Sequence, residues 1–183
     1  DMPVILGPDG PSLGGFVCPA TVVAADRWCL GQLRPGDTVR FVPIQQEDAR
    51  ALAQAQIGLV QTQRAAPPVL TRAATVETIL LTTPASESGV EVVYRPAGDE
   101  YLLVEFGPQV LDINLRFRVQ ALFQAFSEAP LAGVIDLTPG IRSLQFHYDP
   151  NRLSRRALLD AVRSRQAGLA TLADAEVPSR IVH

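Results

Sequence analysis

There is no lysine in this chain; all sixteen basic residues are arginine. That bias excludes chemistries that need a lysine amine, including a Schiff base, a P-loop lysine and a lysine carrying biotin or lipoyl. Cysteine is almost as scarce. Cys18 and Cys29 have no second pair with which to build a zinc knuckle. Two thiols in a chain that shows no secretory signal read as reduced and buried, which points to the cytoplasm. The opening "DMPVILGPDG" has neither a basic start nor a long apolar region. No apolar run approaches the roughly 20 residues that span a bilayer. A net charge of −3 without a basic stripe argues against nucleic acid and against anionic membranes.

What is present suits a folded core. The chain is 47% hydrophobic and 19% charged over 183 residues, enough for one domain or two small ones. In the first block, residues 1–60, Val4 to Leu6 read as a short strand, followed by the Gly-Pro loop "GPDGPSLGG". "FVCPATVV" reads as an edge or bulged strand broken by Pro19. "AADRWCLGQL" has helical potential, and "RPGDTVRFVPI" reads as a turn leading into an alternating strand. "EDARALAQAQIGLV" reads as a helix whose acidic start suits its dipole. Residues 61–88 lose periodicity and read as a linker, with "TVETILL" a candidate strand inside it.

The second block, residues 89–183, is better ordered. Two strands flank the turn "RPAGDE". A helix follows, with Leu111, Leu115, Val119, Leu122, Phe123 and Phe126 at helical spacing and Asp112 placed to cap it. Two strands meet at "TPG", a second helix ends near Gly168, and "SRIVH" reads as a strand cut short. We read the order as β-α-β-β-α-β, the ferredoxin-like arrangement. Pleating then places Leu144, Phe146 and Tyr148 toward the helices, and Glu105, Gln145 and His147 together on the open face.

Three stretches have residue types suited to chemistry. The Gly-Pro loop matches neither a P-loop nor a nucleophile elbow. Gly14 and Gly15 either let backbone amides approach a carboxylate or ureido oxygen beside Asp9 and Ser12, or simply turn a corner. In "LDINLRFRV", Asn114, Arg116 and Arg118 lie near a helix start, with the two arginines on different sides. In "DLTPGIRS", Thr138 and Ser143 carry hydroxyls and Arg142 has the planar fork that holds a carboxylate; a plain turn explains the same residues. No pair of His, Cys or acidic residues has metal-ligand spacing, so no metal is expected.

The runs "GPDGPSLGGFVCPATVVAADRWCLGQLRPGDTVRFVPI", "GDEYLLVEFGPQVLDINLRFRVQAL" and "GVIDLTPGIRSLQFHYDP" resemble the carboxyltransferase region of the urea carboxylase and urea amidolyase family. The resemblance implies an α+β fold: the tail of a cyclophilin-like barrel, a linker, then a ferredoxin-like domain opening a second half. It implies a fragment of a biotin-dependent enzyme that passes a carboxyl group from carboxybiotin to urea, giving allophanate. Biotin would sit on a separate carrier domain, and ATP and Mg would serve a separate biotin carboxylase domain of the same protein. Candidate positions carried by the resemblance are Asp9 and Arg142 as catalytic residues. Ser12, Gly14, Gly15, Asn114, Arg116, Thr138 and Ser143 are the candidates for substrate binding. The isolated piece is expected to be inactive. Related chains imply two alternatives, a 5-oxoprolinase-type subunit and a non-catalytic Kip-type kinase inhibitor.

Overall fold

In the computed structural model, residues 5–6, 20–64, Pro68, Leu70 and 77–169 are described. The second block is built on a five-stranded antiparallel sheet. Its strands are β1 (Leu81–Thr83), β2 (Val92–Pro96), β3 (Tyr101–Phe106), β4 (Val134–Pro139) and β5 (Ser143–Tyr148), in the spatial order β1-β2-β3-β5-β4. The strict alternation of "YLLVEF" and "SLQFHY" decides which face is buried. Leu102, Val104 and Phe106 of β3 and Leu144, Phe146 and Tyr148 of β5 are all 2% exposed or less, while the residues between them are half-buried.

Two helices cover that face. α4 (Ile113–Glu128) contributes Leu115, Val119, Leu122 and Phe126, one helical stripe at 3.6-residue spacing. α5 (Arg155–Gly168) contributes Leu158 and Val162. Phe126 meets Phe146 edge to face at 4.9 Å, and the Arg165 guanidinium lies 3.9 Å from the centre of the Phe126 ring. Both helices start on side-chain caps. Asp112 accepts from the Asn114 amide at 2.8 Å, and Ser154 accepts from Ala157 at 3.2 Å.

The regular elements described in the first block are helical. A 3₁₀ turn at Ala24–Asp26 runs into α1 (Arg27–Leu30), and α2 (Gln46–Thr62) follows after an irregular stretch. A third short helix, α3 (Ala85–Ser88), links β1 to β2.

Several expectations change. Ile5, Leu6 and residues 20–23 are not in strands, and Val4 with the rest of the Gly-Pro loop lies outside the described residues. The alternating run after Pro35 has no strand either; Ile44 makes only an isolated bridge. Val39, Phe41 and Val42 stay exposed, because alternation specifies a strand only where a neighbouring strand pairs with it. Leu111 precedes the cap of α4 and is 89% exposed, so the apolar stripe starts at Leu115 instead. Within the stretch read as a linker, α2 continues to Thr62 and β1 pairs with β2 through Thr82↔Val93.

The element order of the second block also differs. The two strands read around "RPAGDE" are present as β2 and β3, but both precede α4, which departs from β-α-β-β-α-β, and β2 lies between β1 and its hairpin partner β3. The strand expected at 179–183 lies outside the described residues.

Candidate functional site

The open face of the sheet gathers polar side chains in cross-strand rows. Tyr101 is opposite His147, Leu103 opposite Gln145, and Glu105 opposite Ser143. Expected from alternation alone, the grouping of Glu105, Gln145 and His147 is therefore present. The Tyr101 and His147 rings stack with centroids 4.5 Å apart and planes 13° apart.

A register shift in β4 adds an acid to this row. Val134 pairs with Tyr148, but Asp136 pairs with His147, so Ile135 is the extra residue of a bulge and is 60% exposed. In an unbroken register Asp136 would turn toward the core; the bulge brings it to the open face beside His147. Thr138, opposite Gln145, donates its hydroxyl to Asp136 at 3.4 Å.

At the other end of the face, Glu105 is held between two guanidinium groups. Arg95 Nε donates to one carboxylate oxygen at 2.6 Å, and Arg142 Nη2 to the other at 2.7 Å. Arg142 also donates to the Gly107 carbonyl at 3.3 Å. Its fork is thus engaged within the protein, in a charge-assisted arrangement that fixes the β4–β5 corner. Ser143 opens β5 directly after it, and the Gly140 amide closes the corner on the Ser143 carbonyl at 2.7 Å.

The remaining candidates separate. Asn114 and Arg116 belong to α4, on the helix-covered side of the sheet. Asn114 gives both its backbone and side-chain amides to Asp112. Arg116 has a buried Nη1 with no hydrogen-bond partner among the described residues. Arg118 donates to the Ser88 carbonyl at 2.8 Å, on its own side of the helix, as the spacing implied. Asp9, Ser12, Gly14 and Gly15 lie outside the described residues. Among the described residues, no group of three His, Cys, Asp or Glu side chains is placed to hold a metal ion, and no helix is long and apolar enough to cross a membrane.

Sequence reasoning missed one acidic residue. Asp99, in the turn between β2 and β3, is 8% exposed and accepts the Ala24 amide with both carboxylate oxygens at 3.1 Å. Burial pushes its carboxyl above the ordinary range, an effect the Ala24 hydrogen bond offsets only in part. "AGDE" signals a turn, but nothing local in it shows that a segment 75 positions earlier supplies the donor.

Residues 1–43 match the carboxyltransferase domain, subdomain A and B, and residues 92–182 match the carboxyltransferase domain, subdomain C and D. The chain belongs to the carboxyltransferase-domain family. It is 38% identical to the urea amidolyase of Lachancea kluyveri over 168 residues, covering 88% of this chain and 9% of that protein. A putative urea carboxylase of Emericella nidulans is 32% identical over 209 residues, covering 98% of this chain and 17% of its own length. The crystal structure of the K. lactis urea amidolyase superposes with a TM-score of 0.79 at 34% identity, over 87% of this chain and 10% of that one. The chain thus spans a small part of each relative it matches.

Proposed function

We propose that this carboxyltransferase-family chain is part of a biotin-dependent urea carboxylase, acting where the carboxyl group passes from carboxybiotin to urea to give allophanate. One observation carries the reading: both family matches, A/B and then C/D, occur in that order on one chain whose backbone follows a urea amidolyase. With no lysine, the chain cannot carry biotin itself, so the carrier and the ATP- and Mg-using biotin carboxylase would be separate domains of the complete, cytoplasmic protein. Within this reading, residues 1–60 end a cyclophilin-like half. After a linker, residues 89–183 form a ferredoxin-like unit in which β3-α4-β4-β5-α5 follow that order and β2 lies between β1 and β3.

Three of the described candidates are already partnered in ways that suit a frame better than a binding pocket: Asn114 to Asp112, Thr138 to Asp136, and Arg142 to Glu105. A ureido or carboxyl group would need preorganised donors. The unpartnered Arg116 Nη1 is the described group that fits such a role, and Asp9, Ser12 and the Gly14–Gly15 amides are proposed on the resemblance. In the complete enzyme, Asp9→Ala and Arg116→Ala should each lower allophanate formation by about 10²-fold while bicarbonate-dependent ATP cleavage continues, whereas Arg142→Ala should act through the β4–β5 corner that Arg142 holds. Unchanged carboxyl transfer in both Asp9→Ala and Arg116→Ala would remove the site assignment. Turnover of 5-oxoproline in place of urea would remove the substrate.

A further inference from the structure

The segment from Ala24 to Thr62 is attached to the sheet in an unusual way. The main apolar cluster draws on β2, β3, β5, α4, α5 and Leu153, and on no residue of this segment. Its buried apolar residues are two alanines, Ala25 and Ala49. Large apolar side chains of the segment instead stand exposed, Trp28 at 60%, Phe41 at 57% and Val60 at 77%.

Polar contacts hold it in place. The Ala24 amide meets Asp99, Arg27 pairs with Glu100, Gln46 donates to the Tyr148 hydroxyl at 2.8 Å, and Gln54 donates to Asn151 at 3.2 Å. Asp99 and Tyr148 are the buried members of this set. Beneath the segment lies a cleft of about 210 Å³, bordered by Gln46, Arg50, Ala53, Ile57 and Asp149. An interface that borders such a space and fully buries only two alanines gains little from apolar burial. A unit with few buried apolar contacts opens at a free energy below that of global unfolding.

We propose that Ala24–Thr62 is a detachable strap, pinned to the end of the sheet by Asp99, that releases as a unit while the sheet and its helices stay folded. The strap starts within the A/B-matched residues and Asp99 lies within the C/D-matched ones. Release therefore frees the orientation of one matched part relative to the other. Geometry alone supports this, whatever reaction the complete protein performs.

Amide hydrogen exchange on the full chain tests it. In Asp99→Ala, exchange over residues 24–30 and 46–62 should rise roughly tenfold, the scale of one or two lost hydrogen bonds, while β2, β3 and β5 keep their protection. Asp99→Asn keeps an acceptor without the charge and should restore most of the strap's protection. Gln46→Ala, made on the strap side, should loosen the same segment without altering the β2–β3 turn, and it serves if Asp99→Ala does not fold. Strap exchange unchanged in both alanine variants would overturn the proposal. So would protection lost equally from strap and sheet, or an asparagine variant as open as the alanine one.

Discussion

Gly133 sits at φ +97°, directly before β4, and a Cβ there would lie 2.5 Å from Leu153 Cβ. Two penalties combine, a backbone region that L side chains rarely adopt and an overlap with a part of Leu153 that cannot rotate away. Gly133→Ala should therefore cost about 2–4 kcal/mol in denaturant unfolding. A loss below about 1 kcal/mol would mean the β4 start shifts to accommodate the methyl group. The sequence shows a glycine between an alanine and an apolar run at this point, but not the close approach of Leu153. At the same scale, Glu105 was legible from alternation as an open-face residue. Its two arginine partners were not, because Arg95 comes from a hairpin neighbour and Arg142 from the corner after β4.

Helices were the most legible elements, since both their apolar periodicity and their caps are local. Asp112 caps α4 as its position before "INLRF" implied, and it also holds the Asn114 side chain. Asp112→Ala should reduce stability by about 1 kcal/mol, measured by chemical denaturation, and Asp112→Ser should recover part of it. Strands were legible only where a partner strand is present. "SLQFHY" and "VRFVPI" both alternate, yet only the first lies between two neighbours in a sheet. The bulge in β4 escaped the sequence reading for a related reason. Nothing in "GVIDLTPG" favours one register over the other until Tyr148 and His147 are fixed opposite it.

At the scale of the whole molecule, one apolar cluster stands out among the described residues, and two of its members are phenols. Tyr94 is 1% exposed and donates its hydroxyl to Gln166; Tyr148 is fully buried and accepts from Gln46. Burial raises the pKa of both above the ordinary phenol value. An unfolded chain loses these protons near pH 10, whereas the folded chain keeps them to higher pH. Between those limits the unfolded state binds fewer protons than the folded one, so stability declines as pH rises. The stability these groups contribute is complete below about pH 10 and is lost as pH climbs through the folded-state values. Denaturant midpoints should thus fall on the alkaline side, together with the appearance of phenolate absorbance. Tyr94→Phe should flatten that alkaline decline at little cost near neutrality. Tyr148→Phe should flatten it too, but should also loosen the strap, because the Gln46 bond goes with the hydroxyl. Midpoints that stay level from about pH 9 to 11 would show that neither phenol is shielded in the folded state. A Tyr148→Phe variant whose strap exchanges no faster would leave Asp99 as the stronger of the two attachments.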